Sequence, residues 1–408
     1  MIPLVHFADL HIGVESYGGL DAETGLNLRV LDFLRRFDEL IDYAIAHEAG
    51  AVLFAGDAFR TRDPDPTYLR EFARRLMRLA QAGIPTVLLV GNHDIPAMEQ
   101  RATSLDIFQA LTVPNLIVAR KPDIIRLSTR YGPLQIVTLP YPVRQRLLRG
   151  EAYRRKSITE LDQEIARILE QRLEALKREL DPQLPTVLLA HLSLDQAQWG
   201  SERAIMVGRD VTLPLSAVAD PAWDYVALGH IHRHQELNHG QHPPVVYAGS
   251  LERVDFGEEG QPKGFCWVEV ERGRTHWRFV QLNARPFITV KVDVRAATDP
   301  LAVITQRLQG LPLQDAIVRL QVKLLPEQEP HLRERDLSAH LAPAFYAQIL
   351  REVERPVLDR LAGIEVETLT PAELLELYLE SRGKTPEQIA DYLEEAQSIF
   401  DAVRGEEA

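Results

Sequence analysis

The chain has 408 residues, with 46 Lys and Arg against 59 Asp and Glu, for a formal net charge of −13. Its 45% apolar and 26% charged content excludes a disordered or collagenous chain, and the length suits two or three domains. The acidic balance argues against a nucleic-acid or anionic-membrane partner unless positive charge is segregated locally. The single cysteine, Cys266, excludes an intrachain disulfide or a thiolate zinc cluster and fits a reducing compartment.

Residues 1–8 form a short apolar run that ends at Asp9, with no basic leader and no small-residue cleavage pattern, so they predict a first strand rather than a signal peptide. Strand-like runs follow at 51–55, 86–90, 134–139, 186–190, 225–228 and 245–247. Most are too apolar for a one-sided sheet and predict strands buried on both faces. Between them, Leu31, Leu34, Leu40, Ile41 and Ile45 recur at helical spacing, as do Leu69, Phe72, Leu76 and Leu79, and residues 158–180 read as a charged helix with an apolar stripe. The alternation predicts a layered α/β core flanked by helices.

Residues 264–282 read as two more strands, and 283–286 as a linker. Beyond it, 287–294 alternates, 302–308 is helix-like and 317–324 alternates again, which predicts a small α+β second domain over about 286–365. The stretch 325–330 predicts a surface loop. The segment 370–408 predicts a helix-loop-helix, with helices over 372–380 and 386–400 and Thr385 as the cap of the second. No apolar stretch approaches the ~18 residues of a membrane span, so a cytoplasmic protein is expected.

The chemistry lies in where polar residues fall relative to the strands. Asp9 and His11 follow the first, Gly56-Asp57 the second and Gly91-Asn92-His93-Asp94 the third; His191 and Gly229-His230-Ile231-His232 close two later ones. All sit at carboxyl ends, which converge on one crevice in an α/β sheet. Any single strand-end Asp or His reads more readily as a capped turn or a satisfied surface group than as a ligand. Together, two carboxylates, one amide and four imidazoles form the donor set that two divalent ions need when a carboxylate is shared.

In these five blocks the chain resembles the calcineurin-like metallophosphoesterases, over about residues 1–282. A narrower likeness lies in Gly249-Ser250-Leu251-Glu252-Arg253-Val254-Asp255-Phe256-Gly257-Glu258-Glu259, followed by Lys263-Gly264, which resembles the segment after the last metal motif in the SbcD family, nuclease subunits of bacterial SbcCD repair complexes. The resemblance implies a layered metallophosphoesterase β-sandwich flanked by helices, with a capping and DNA-binding domain over 286–365. It implies one ion held by Asp9, His11, Asp57 and His232, and another by Asp57, Asn92, His191 and His230. The thiolate-free donor set suits manganese or magnesium, with manganese the expected ion. Two such ions activate water and stabilise both oxygens of an in-line displacement at phosphorus. His93, oriented by Asp94, is expected to protonate the leaving oxygen; the alternative is that it fills the loop. At Arg60 the chain departs from the resemblance, since many SbcD-like sequences carry an acid there and some relatives a histidine, so either a phosphate contact or a solvated loop residue is open.

Site chemistry alone gives only phosphoester hydrolysis, shared with small-molecule phosphodiesterases and protein phosphatases. The SbcD likeness implies 3′ to 5′ exonuclease activity on duplex DNA and single-strand endonuclease activity, acting on DNA ends and hairpins with an SbcC-type coiled-coil ATPase, in a nucleoid-associated homodimer. The helices over 68–79 and 103–111 offer dimer faces. Arg60, Arg62, Arg101, Arg203 and Arg233 are the candidates for DNA phosphate contact. In the tail, Leu374, Leu377, Tyr378, Ile389, Leu393 and Phe400 supply apolar faces on helices too short to stand alone, so they dock either on the chain's own body or on the ATPase. Residues 363–408 hold 12 acidic and 3 basic groups, so −9 of the −13 sits in that tail.

Overall fold

The computed structural model describes all residues except 97, 99–100, 144–146, 149–156, 201–209, 355–368 and 407–408. Arg203 and the last part of the expected capping domain therefore lie outside the described residues. In chain order the strands are β1 (Ile2–Phe7), β2 (Ala51–Phe54), β3 (Thr86–Leu89), β4 (Leu116–Ala119), β5 (Asp123–Thr129), β6 (Gly132–Leu139), β7 (Thr186–His191), β8 (Ser193–Leu194), β9 (Thr212–Leu213), β10 (Tyr225–Gly229), β11 (Gln235–Glu236), β12 (Val245–Tyr247), β13 (Gly264–Glu271), β14 (Arg274–Gln281), β15 (Phe287–Asp293), β16 (Ile317–Leu324) and β17 (Tyr346–Val353). The α-helices are α1 (Leu28–Ala46), α2 (Pro66–Gln81), α3 (Asp106–Ala110), α4 (Ile158–Lys177), α5 (Pro300–Leu308), α6 (Glu334–His340), α7 (Pro371–Ser381) and α8 (Pro386–Glu406).

Two six-stranded sheets face each other, one ordered β14-β13-β1-β2-β3-β4 and the other β11-β12-β10-β7-β6-β5. Strands β1, β2, β3 and β4 run parallel, as do β6, β7, β10 and β12. The period of two along β1 sends Ile2 and Leu4 into the layer between the sheets, and Val5 and Phe7 toward the helices. On the outer face of the first sheet, Leu34, Phe37 and Leu40 of α1 and Phe72, Leu76 and Leu79 of α2 fill a core with Phe7 and Phe54. Outside the second sheet, Ile165, Leu169 and Leu173 of α4 cover Val226 and Leu228. The architecture is thus the helix-flanked α/β sandwich expected, with β2, β3, β7, β10 and β12 buried along their whole length.

Past β14 the chain builds a separate three-stranded parallel sheet, β15-β16-β17, with α5 and α6 on one face and a core of Val290, Ile304, Leu320, Val322 and Leu337. A buried ionic joint fixes this cap to the sandwich. Arg285 holds Asp32 of α1 through both carboxylate oxygens at 2.6 and 2.7 Å, Arg29 donates to Asp32 at 2.6 Å, and Arg253 donates to the carbonyls of Ala284 and Arg285. In the tail, Thr385 caps α8, as the sequence predicts, and α7 opens with an unpredicted capping box between Thr370 and Glu373.

Candidate metal centre

The carboxyl-terminal ends of the central strands bring the predicted donors together. Asp9 and His11 follow β1, Asp57 follows β2, Asn92 follows β3, His191 ends β7, and His230 and His232 follow β10. Asp9, His11 and His232 offer ligand atoms that all lie within 4.8 Å of one another, and so do Asp57, His191 and His230. Between the groups, an Asp57 oxygen lies 3.5 Å from His191 Nε2 and 3.9 Å from His11 Nε2. Asn92 Oδ1 is 2.9 Å from both His191 Nε2 and His230 Nδ1.

Local backbone strain makes the convergence possible. Asp9, His11, Asp57 and His230 all have positive φ, between 44° and 97°, a region that non-glycine residues avoid. Two glycines give room: a Cβ on Gly56 would collide with the His191 imidazole, and one on Gly91 with the Asp57 carboxylate. Close approach thus explains the glycine that precedes Asp57 and the one that precedes Asn92.

The imidazole hydrogen bonds test whether cations fit. His191 Nδ1 donates to the Ala55 carbonyl at 2.6 Å, His230 Nε2 to the Asp210 carboxylate at 2.9 Å, and His232 Nδ1 to the Glu258 carboxylate at 2.7 Å. Each bond places the proton on the outer nitrogen and leaves a bare lone pair facing inward. Two of those lone pairs meet an acceptor, Asn92 Oδ1, at contact distance, and the third lies 2.9 Å from His11 Nε2, whose role depends on the His11 tautomer. Buried acceptors so close repel unless a cation lies among them, so the donors present fit a pair of divalent ions.

The electrostatics are those of a buried, mixed-charge cluster. Burial and the neighbouring His232 and His93 hold the His11 imidazole well below its ordinary range. Burial works against ionisation of Asp57, yet His191, His93 and His11 outweigh it and keep that carboxyl well below the usual carboxylate range. Burial likewise opposes a charge on His191, but Asp57 and Asp9 push its pKa up to about 9, so a proton competes for the inward Nε2 and a bound cation would displace it.

His93 lies half-buried beside this cluster, its ring 4.8 Å from that of His11. Its backbone N–H donates to Asp57 at 2.8 Å, and its Nδ1 donates to the Arg60 carbonyl at 2.9 Å. Asp94 does not orient it, contrary to the sequence expectation. That carboxylate instead accepts the backbone N–H groups of Asp57 (2.9 Å), Ala58 (3.0 Å) and Gly91 (2.9 Å), bracing the second and third motif loops against each other. Burial and the Asp57 charge push its pKa up to about 7 against the pull of these amides.

Of the predicted DNA-contacting arginines, Arg60 is half-buried at the centre, where its N–H donates to the Ile12 carbonyl; Arg62, Arg101 and Arg233 are exposed. In the tail, Ile389 is buried, Leu374, Leu377, Leu393 and Phe400 are half-buried, and Tyr378 is exposed. Two site residues escaped the sequence reading. Asp210 is held by Ser193 and Tyr141 and steers His230 from a distant loop with no motif around it. Glu258 steers His232, and its only signal was membership of the Gly249–Glu259 string.

The family model for calcineurin-like phosphoesterases matches residues 2–234. The chain is 30% identical over 334 residues to SbcD of the SbcCD nuclease from Rhodobacter capsulatus, covering 76% of each. It is 27% identical over 386 residues to the Escherichia coli K12 protein of the same name, covering 92% of this chain and 91% of that one. It is also 27% identical over 328 residues to the DNA double-strand break repair protein Mre11 of Haloferax volcanii, covering 79% of this chain and 62% of that protein's length. The matched family works with a dimetal centre, for which the donors just described are the candidates. With its family model matched over more than half its length and its SbcD likeness running through the cap, the chain belongs to the calcineurin-like phosphoesterases, among the SbcD nucleases.

Proposed function

We propose that the chain is a metal-dependent DNA nuclease that cleaves phosphodiesters at double-strand ends and hairpins, with 3′ to 5′ exonuclease activity on duplex DNA and endonuclease activity on single strands. The observation that carries the hydrolytic reading is the set of inward lone pairs of His191, His230 and His232 around Asn92, His11 and the central Asp57. The DNA substrate is supported by the names of its relatives, a nuclease component and a DNA double-strand break repair protein.

Asp9, His11, Asp57 and His232 would hold one ion and Asp57, Asn92, His191 and His230 the other, with manganese preferred over magnesium for the mixed oxygen and imidazole set. When bound, the pair makes water nucleophilic near neutral pH and offsets the charge that builds on the phosphate. His93 supplies the proton for the departing sugar oxygen. Its Nδ1–H is committed to the Arg60 carbonyl, so Nε2 is the nitrogen that gives up and regains the proton. Asp57 holds the backbone of the same residue, which ties the acid to the metal-binding carboxylate. Arg60, Arg62, Arg101, Arg203 and Arg233 would bind flanking phosphates.

An SbcC-type ATPase is the partner for the tail, and a homodimer is supported by the exposed Met77 on α2 and Ile107 on α3. Among the described residues no helix is long and apolar enough to cross a membrane, which suits a cytoplasmic, nucleoid-associated enzyme. The test is hydrolysis of linear duplex and single-stranded DNA with manganese, magnesium or chelator, with and without the ATPase. Manganese-dependent release of nucleotides from duplex ends is expected. Faster turnover of a small phosphodiester or a phosphopeptide than of DNA would move the chain to the phosphodiesterase or phosphatase reading.

A further inference from the structure

One short turn touches both the metal centre and the cap. After β12 the chain runs to a single 3-10 turn, Phe256–Glu258, started by Asp255, whose side chain accepts from Gly257 N–H at 2.7 Å. A lone 3-10 turn has little rigidity of its own, so its anchors decide where it sits. On the cap side, Phe256 is buried against Phe287 of β15 and Ile317 of β16, with its ring 4.9 Å from that of Phe287. The Arg319 guanidinium of β16 lies 4.1 Å over the same ring, and Thr289 N–H of β15 donates to Glu259 at 2.9 Å.

On the site side, Glu258 is fully buried and receives three donors: His232 Nδ1 at 2.7 Å, Lys263 Nζ at 2.8 Å and Val254 N–H at 2.9 Å. Lys263 also donates to the His232 carbonyl at 3.0 Å and to Ser250 Oγ at 2.8 Å. The ring and the backbone of one metal-ligand residue are therefore both clamped from this turn, two residues from the ring that plugs into the cap.

We propose that Glu258 is a positioning residue through which the seating of the cap sets how firmly His232 presents Nε2. The inference rests on the dimetal reading above. It predicts that loosening the cap's hold on Phe256 weakens one metal site, the one His232 shares with Asp9 and His11, and spares the one built on Asn92, His191 and His230. The Arg285–Asp32 ion pair does not use the Phe256 ring and keeps the cap attached when that plug is removed.

The experiment is manganese binding to the full chain, followed by electron paramagnetic resonance and equilibrium dialysis, for the wild type, Phe256→Ala, Arg319→Ala and Glu258→Gln. The wild type should hold two ions. Phe256→Ala and Glu258→Gln should weaken one of them by about 10- to 100-fold, the range for lost support of a ligating imidazole, with the second ion unchanged. Arg319→Ala should act in the same direction and less strongly, and Phe256→Leu should restore most of the affinity. The Nδ1–H resonance of His232 should shift in each weakened variant. If Phe256→Ala proves unfolded by thermal melting, Arg319→Ala carries the test. Two wild-type affinities in a folded Phe256→Ala or Arg319→Ala chain, or equal weakening of both ions, overturn the inference alone. A wild-type chain that holds no manganese overturns the dimetal reading with it.

Discussion

The motif Gly91-Asn92-His93-Asp94 places three different functions on successive side chains. Asn92 faces two imidazole lone pairs, His93 lies at the edge of the donor cluster beside His11 and Asp57 with its Nδ1 tied to a carbonyl, and Asp94 collects backbone amides from two loops. His93 shares a close donor group with His11 and Asp57, but its Nδ1 is tied to the Arg60 carbonyl and each expected ion has four other donors, so replacing it with Asn should leave two manganese ions per chain. DNA hydrolysis should fall by about 10² to 10⁴, the usual worth of a positioned acid. Metal analysis beside single-turnover cleavage checks this, and turnover near the wild-type rate refutes the proton-donor role. Spacing in the sequence was enough to find residues that act by position after a strand. It could not tell Asp94 from an imidazole-orienting acid, because a side chain's partner depends on which loops the fold brings beside it. Asp210 and Glu258 were unread for the same reason: each acts through a histidine 20 or 26 positions away in the chain.

Among the elements, the strands legible in the sequence were chiefly those with neighbours on both sides. β1, β2, β3, β7 and β10 lie inside their sheets and carry nearly unbroken apolar runs, the pattern of strands covered on both faces. β4, β5, β11 and β17 went unread, and each lies at a sheet edge, where one side of the ladder meets solvent and polar residues are tolerated. The exception inside β1 is His6, which points into the layer between the sheets. Its Nε2–H donates to the Leu228 carbonyl at 3.1 Å, and its Nδ1 accepts from Tyr225 Oη at 3.1 Å, so the neutral ring bridges the two sheets. Burial pushes its pKa down to about 3 from the ordinary 6.5. The unfolded chain therefore takes up this proton first as the pH falls. The stability His6 contributes is complete above pH 6.5 and is lost as the pH drops from there through about 3. Urea unfolding at pH 7 and pH 4.5 should show a fall in stability that is smaller in His6→Gln than in the wild type by about 2 kcal/mol. Equal falls in the two chains would sink the assignment.

Across the whole molecule, charge and packing separate the tail from the body. The −13 that argues against DNA is concentrated in residues 363–408, with −9, so the remaining 362 residues carry only −4 and include every candidate metal ligand and every proposed phosphate contact. The cap is held to the sandwich by the Arg29–Asp32–Arg285 joint and by the Phe256 plug, both made before residue 354. The tail helices α7 and α8 meet in a hairpin whose buried residues, among the described ones, are Leu379 and Ile389, while Tyr378 and Tyr392 stay exposed. Such a hairpin buries too little to be stable by itself and presents apolar surface for a partner. A chain ending at residue 369 should therefore keep its melting temperature, its two manganese ions and its metal-dependent hydrolysis of DNA. It should lose copurification with an SbcC-type ATPase, because the acidic, aromatic face that the ATPase would grip is gone. Copurification that survives the truncation places the partner's footprint on the body. A truncated chain that no longer folds shows instead that α7 and α8 complete this protein's own core.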